Sequence, residues 1–191
     1  MGILDVVPIG EPVLRAVAQP VTDDELATPG FQRFLDDLVE TMRAAHGAGL
    51  AAPQVGISRR VFCVEVHANP RYPYKPELDL RVLINPEVRP LTSETFPSYE
   101  GCLSVPDLRG LLSRHCEIEV SYTDREGHGV VEQFRGLSAW TFQHEQDHLD
   151  GILFVDRVED TRTLTTWDGF RRWHEQAYAA EARALVERFG G

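Results

Sequence analysis

Residues 143–151 read Gln-His-Glu-Gln-Asp-His-Leu-Asp-Gly, and no other stretch constrains this chain as much. The residues before it predict a helix over about 137–149, stopped at Asp150-Gly151, where glycine suits the position just past a helix end. On such a helix His144 and His148 lie one turn apart on a shared face, with Glu145 beside them. Two imidazoles at that spacing can bind one divalent ion while the neighbouring carboxylate stays outside the ligand set. Leu137, Trp140 and Thr141 continue the same face towards the N-terminus. A metal here would sit at the end of a mostly apolar wall, as in a pocket for an apolar side chain.

Two histidines leave the ligand set incomplete. Many metalloproteases supply a third His six residues after the second, behind a Gly. Gly151 is in place, but that last position is Phe154. Glu159 and Glu175 lie downstream without a motif around them. Upstream, Cys102 stands in Glu-Gly-Cys-Leu-Ser-Val-Pro (100–106). A thiolate is a strong ligand for zinc or iron(II), although a single cysteine more commonly packs as a small hydrophobe. The residues alone therefore leave open a hydrolase using Cys102, a peptidase using a downstream Glu, and a structural metal site. A structural site needs four protein ligands, and only three good ones are found.

The rest of the chain frames this helix. The 191 residues suit one domain with a real core, and the formal charge of −11 argues against broad binding to nucleic acid or anionic membrane. No apolar run is long enough to span a bilayer. The N-terminus lacks the pattern of a signal peptide, and Val6 breaks a myristoylation signal. A cytoplasmic protein is expected. Three scattered cysteines do not form a disulfide framework.

Residues 8–20 read as an irregular, proline-punctuated segment and 30–46 as an amphipathic helix. Strands are expected at 60–66 and, briefly, at 82–84, with a loop at 69–79 and a turn-rich segment at 90–106. A hairpin is expected from 117–122 and 130–134, and one charged helix at 168–188. This order predicts an α+β fold: antiparallel or mixed sheets around a central metal-binding helix, with a C-terminal helix.

Three segments then resemble the motifs of peptide deformylases, in order. They are Gly-Ala-Gly-Leu-Ala-Ala-Pro-Gln (47–54), Glu-Gly-Cys-Leu-Ser (100–104) and Gln-His-Glu-Gln-Asp-His (143–148). The resemblance spans roughly residues 3–160. It implies a catalytic domain over 1–160, with 161–191 as a helical extension of the same domain. It implies metal ligation by Cys102, His144 and His148, with iron(II) the usual metal and zinc, nickel or cobalt able to replace it. The implied reaction is hydrolysis of the formyl group from N-formylmethionine on new bacterial polypeptides. Glu145 would move the proton. Gln54 and the Leu103 backbone N–H would face the developing oxyanion.

By the same resemblance Gly49 and Gly101 contact an extended peptide in the manner of an added strand, and Arg109 lies near the substrate. Leu137, Trp140 and Thr141, with Ala48 opposite, would line a methionine pocket. In some family members the C-terminal helix contacts the ribosome, and the arginines at 162, 171, 172, 183 and 188 carry that expectation here. Asp147 points away from the histidine face and is expected in a salt bridge, to Arg43 or another arginine. Glu100 is a candidate for hydrogen bonding behind the metal ligands or for a structural hydrogen bond. His46, His67, His115, His128 and His174, together with Cys63 and Cys116, read as structural or exposed.

Overall fold

The structure, a computed structural model, describes residues 2–67 and 74–190. After a 3-10 turn over Pro12–Arg15, two helices open the fold: α1 (Asp23–Leu26) and α2 (Pro29–Ala44). The Thr28 hydroxyl accepts from the Phe31 N–H and Pro29 starts α2, which together fix where this helix begins. Phe31, Leu35, Leu38 and Met42 fall on its inner face and are buried against Leu50, Val61 and Cys63.

Five strands form one antiparallel sheet in the order β1-β2-β3-β6-β7: β1 (Gly49–Ala51), β2 (Val61–Val66), β3 (Leu78–Pro90), β6 (Glu117–Thr123) and β7 (Gly129–Arg135). The expected hairpin at 117–134 is the β6–β7 pair. Two other strand expectations are corrected. The short strand at 82–84 is part of thirteen-residue β3, which starts inside the loop expected at 69–79; residues 69–73 of that loop lie outside the described residues. Asn85-Pro86, just past the end of that expected strand, forms a bulge between Ile84 and Glu87, where β3 passes from β2 to β6. Asn85 holds this conformation (φ 51°) by bonding both N–H and C=O of Val21, each at 2.8 Å.

The segment 90–106, expected as turns, contributes most of a second sheet, β4 (Thr95–Cys102) paired with β5 (Val105–His115). Pro97 concealed it. In a two-stranded ribbon a strand has a free edge, so its missing N–H costs no ladder bond.

The metal-motif helix, α3 (Gly136–Leu149), is buried nearly all round. The apolar Leu137, Ala139, Trp140, Phe142 and Leu149 share one core with Phe62, Val64, Leu83, Ile118 and Val120 of the larger sheet. Burying the charged half of α3 as well requires partners for every charge it carries. A short α4 (Phe154–Arg157) follows. The expected single C-terminal helix is two, α5 (Trp167–Trp173) and α6 (Glu175–Phe189), broken at His174. The break turns Phe170 of α5 and Tyr178 and Ala182 of α6 into the same core as Leu137 and Trp140.

Candidate metal centre and catalytic pocket

The cluster assembles from two elements distant in sequence. β4 ends at Cys102 through a bulge between Gly101 and Cys102, and α3 brings His144 and His148. The Cys102 Sγ lies 3.2 Å from His148 Nε2, and the imidazole rings are 5.1 Å apart. One ligand atom from each of the three residues lies within 4.8 Å of the others, and all three residues are buried. Among the described residues no other trio of His, Cys, Asp or Glu has this geometry, and neither Glu159 nor Glu175 joins it.

Partners around the cluster fix its orientation. His144 Nδ1 donates to Glu100 Oε2 at 2.7 Å, which leaves Nε2 with its lone pair for a ligand role. Glu100 is fully buried and also accepts from Arg114, Nε to Oε1 at 2.6 Å and Nη2 to Oε2 at 2.8 Å. Burial pushes the Glu100 carboxyl up, but Arg114 and His144 hold it at about 2. Arg114 donates in turn to Asp147 at 2.7 Å, and Arg157 closes the far side of Asp147. The expected salt bridge of Asp147 thus runs to Arg114 and Arg157. Arg43 instead pairs with Glu65 and Glu40.

Glu145 has a different setting. It is 3 % exposed, yet its Oε2 has no hydrogen-bond partner. Burial pushes its carboxyl up to about 7, against the opposing pull of His144 and Lys75. The carboxylate lies against the backbone of β1, where a Cβ on Gly49 would meet Oε1 at 2.4 Å. Glycine at 49 is therefore what lets a carboxylate approach the edge strand of the sheet. Gln54 is also buried. Its Oε1 accepts from Ala51 N at 2.9 Å, which aims Nε2 at Cys102 Sγ (3.4 Å) and Ser104 Oγ (3.3 Å).

One pocket joins these groups. Ala48, Gly49 and Gln54 line one side, Gly101, Cys102 and Leu103 another, and Trp140, Thr141, His144 and Glu145 the helix wall. His148 sits behind, in the cluster. Two residues expected near substrate lie elsewhere. Leu137 is wholly buried in the core. Arg109 is also wholly buried: its guanidinium lies 4.4 Å from the Trp167 ring and 4.0 Å from the Phe170 ring and donates to the Tyr99 carbonyl. The chain after 163 covers it, with Thr165 and Arg109 exchanging backbone hydrogen bonds at 2.8 and 2.9 Å. One lining residue was not expected at all. Lys75 enters the pocket from the segment before β3, and nothing in the sequence around it marks it.

The polypeptide deformylase family profile matches residues 3–163. The chain belongs to that family. A peptide deformylase 2 from a Nostoc species is 43% identical over 169 residues, 88% of this chain and 93% of that protein. A peptide deformylase from Leptospira biflexa is 39% identical over 163 residues, 85% of this chain and 91% of that one. Among solved structures, the Met-Ala-Ser-bound class I type b peptide deformylase of Acinetobacter baumannii superposes with a TM-score of 0.79 at 43% identity, covering 82% of this chain and 99% of that one. The Thermotoga maritima peptide deformylase gives 0.74 at 36% identity, covering 84% of this chain and 100% of that one. Three sequence motifs of the family thus converge on one buried pocket with a metal-binding trio.

Proposed function

We propose that the chain hydrolyses the formyl group from the N-terminal formylmethionine of newly made polypeptides, releasing formate. The observation that carries this reading is the pairing of a buried Cys-His-His trio with an adjacent, incompletely satisfied carboxylate, Glu145, at one pocket. A thiolate with two imidazoles, one oriented by Glu100, suits iron(II) or zinc. We assign the ion to Cys102, His144 and His148, with iron(II) as the working metal and zinc, nickel or cobalt as substitutes. When bound, the ion would act as a Lewis acid that activates water against the formyl carbon.

The remaining steps belong to the chain. Glu145 takes a proton from the attacking water as its oxygen bonds to the formyl carbon. It returns the proton to the nitrogen as the C–N bond breaks, so that a free amine and formate result. Burial pushes this carboxyl up, the direction that helps a carboxylate hold a proton between the two transfers. Gln54 Nε2 and the Leu103 N–H are assigned to the developing negative oxygen, and the bond from Ala51 to Gln54 Oε1 keeps that amide from flipping. β1 is the edge strand of its sheet, which supports peptide binding as an added strand between Ala48-Gly49 and Gly101. Trp140 and Thr141 are assigned to the methionine side chain. Arg109 and Leu137 would act only from behind the pocket.

The burial of Phe170, Tyr178 and Ala182 with Trp140 supports reading 161–191 as an extension of the catalytic domain over 1–160. Among the described residues no helix is long and apolar enough to cross a membrane, in keeping with a cytoplasmic site of action. A ribosome contact through the C-terminal helices has thinner support, because Arg162, Arg171 and Arg188 pair with Asp160, Asp168 and Glu94.

The test is formate release from formyl-Met-Ala-Ser by anaerobically purified protein reconstituted with iron(II), beside acetyl-Met-Ala-Ser. Release from the formyl peptide alone is expected. Cleavage of unformylated peptide bonds by fully metallated protein would instead make the site a peptidase.

A further inference from the structure

The methionine subsite is already partly filled by the protein itself. Lys75 Nζ donates to the Thr141 hydroxyl at 2.7 Å and lies 3.4 Å from the centre of the Trp140 ring. These are the two pocket residues assigned to the substrate's first side chain. The ammonium therefore sits on the aromatic face that an apolar side chain would use. Burial costs this lysine much of its hydration and pushes it down to about 7, although Glu100 and Glu145 favour its charge. A group held at that cost, between a hydroxyl and a ring, is positioned rather than merely tolerated.

We propose that Lys75 is a specificity-determining residue: its side chain sets the volume of the first-side-chain pocket, so that a substrate side chain must fit beside it or move it aside. This rests on the deformylase reading for the identity of the substrate but not for the geometry. A flexible methionine can lie along the lysine stem. A rigid aromatic ring cannot, and is excluded unless Lys75 leaves.

The test uses metal-loaded protein and measures dissociation constants for Met-Ala-Ser, Phe-Ala-Ser and Ala-Ala-Ser, with KM and kcat for their formylated forms. Lys75→Ala should tighten Phe-Ala-Ser about tenfold or more, the scale of about one methylene of pocket space. It should change Ala-Ala-Ser little, and the gain on formyl-Phe-Ala-Ser should fall on KM. Lys75→Met retains most of the bulk and should keep the wild-type ranking. Lys75→Ser repeats the truncation should the alanine variant fold poorly. An unchanged Phe-to-Ala ratio in the truncated protein overturns the proposal, as does a Lys75→Met variant that behaves like Lys75→Ala. A shifted binding ratio without formate release would uphold Lys75 and sink the deformylase reading. Absence of binding by all three tripeptides would overturn both.

Discussion

The two faces of α3 solve the same problem in opposite ways. Both carry buried charge. On the face turned towards β5 and α4, Asp147 meets Arg114 and Arg157, and Arg114 reaches on to Glu100, so every carboxylate there has a guanidinium partner. On the face turned towards β1, Glu145 is as deeply buried as Asp147 but keeps an oxygen without a hydrogen bond. A charge buried without full pairing is costly, and its carboxyl is pushed up accordingly. We read the paired face as the one that positions and the unpaired face as the one that reacts. His144 is the link, because its Nδ1–H is anchored on Glu100 while its other nitrogen joins the metal-binding trio.

If that division is right, the largest effect comes from the unpaired face. Glu145→Gln should lower kcat by about 10²–10⁴ while metal content, read by elemental analysis, stays at one ion per chain. Thermal stability should not fall, because the substitution removes a buried carboxylate that lacks full pairing. A Glu145→Gln protein that melted far below the wild type would make this carboxylate structural and erase the contrast. On the paired face the reverse holds. Arg114→Met leaves Glu100 and Asp147 buried with too little positive charge, and the expected loss is about 3–5 kcal/mol in urea unfolding. Catalysis should fail with it, since Glu100 would no longer be fixed beneath His144.

These two outcomes also mark what the sequence could convey. His144, Glu145 and His148 were legible because a helix converts spacing into direction, and Gln54 and Cys102 because their motifs are specific. Arg114 was not. Its bond to Glu100 depends on the β4–β5 register, in which Glu100 faces Gly110 and Arg114 lies two same-face positions further along β5. That hairpin was itself hidden by Pro97 and by Gly101. Lys75 was hidden for a similar reason: its role exists only where its segment meets Trp140 and Thr141. The C-terminal helix read as continuous because no glycine or proline marks His174, and the break follows from packing on α3 and β4. The helix pattern, a local property, was thus read more fully than the partners that orient it.

A smaller effect sharpens the contrast at the edge strand. Gly49→Ala brings a methyl group to 2.4 Å from Glu145 Oε1 and 2.7 Å from its Cδ and Cγ. The flexible end of Glu145 can move more readily than β1, so the protein should fold and bind metal, but with its carboxylate displaced. A displacement of about 1 Å at a reacting group can cost about 10² in rate. The loss should appear in kcat, and Gly49→Ala combined with Glu145→Gln should be no slower than Glu145→Gln alone, because both act through one carboxylate.

The smallest expected effect lies at the outer end of the paired face. Arg157 binds Asp147 through two hydrogen bonds, but its side chain is 43% exposed, so water screens and can replace it. After Arg157→Ala, Asp147 keeps its bond to the buried Arg114, and the loss should be about 1 kcal/mol or less, shrinking further in high salt. Deformylation should be nearly unchanged, because nothing between Arg114, Glu100 and His144 has moved. A loss as large as that of Arg114→Met would mean that the network is held from its exposed end, with Arg157 and α4 fixing Asp147 before Arg114 can pair. Urea unfolding of the two variants at low and high salt distinguishes an inner anchor from an outer one.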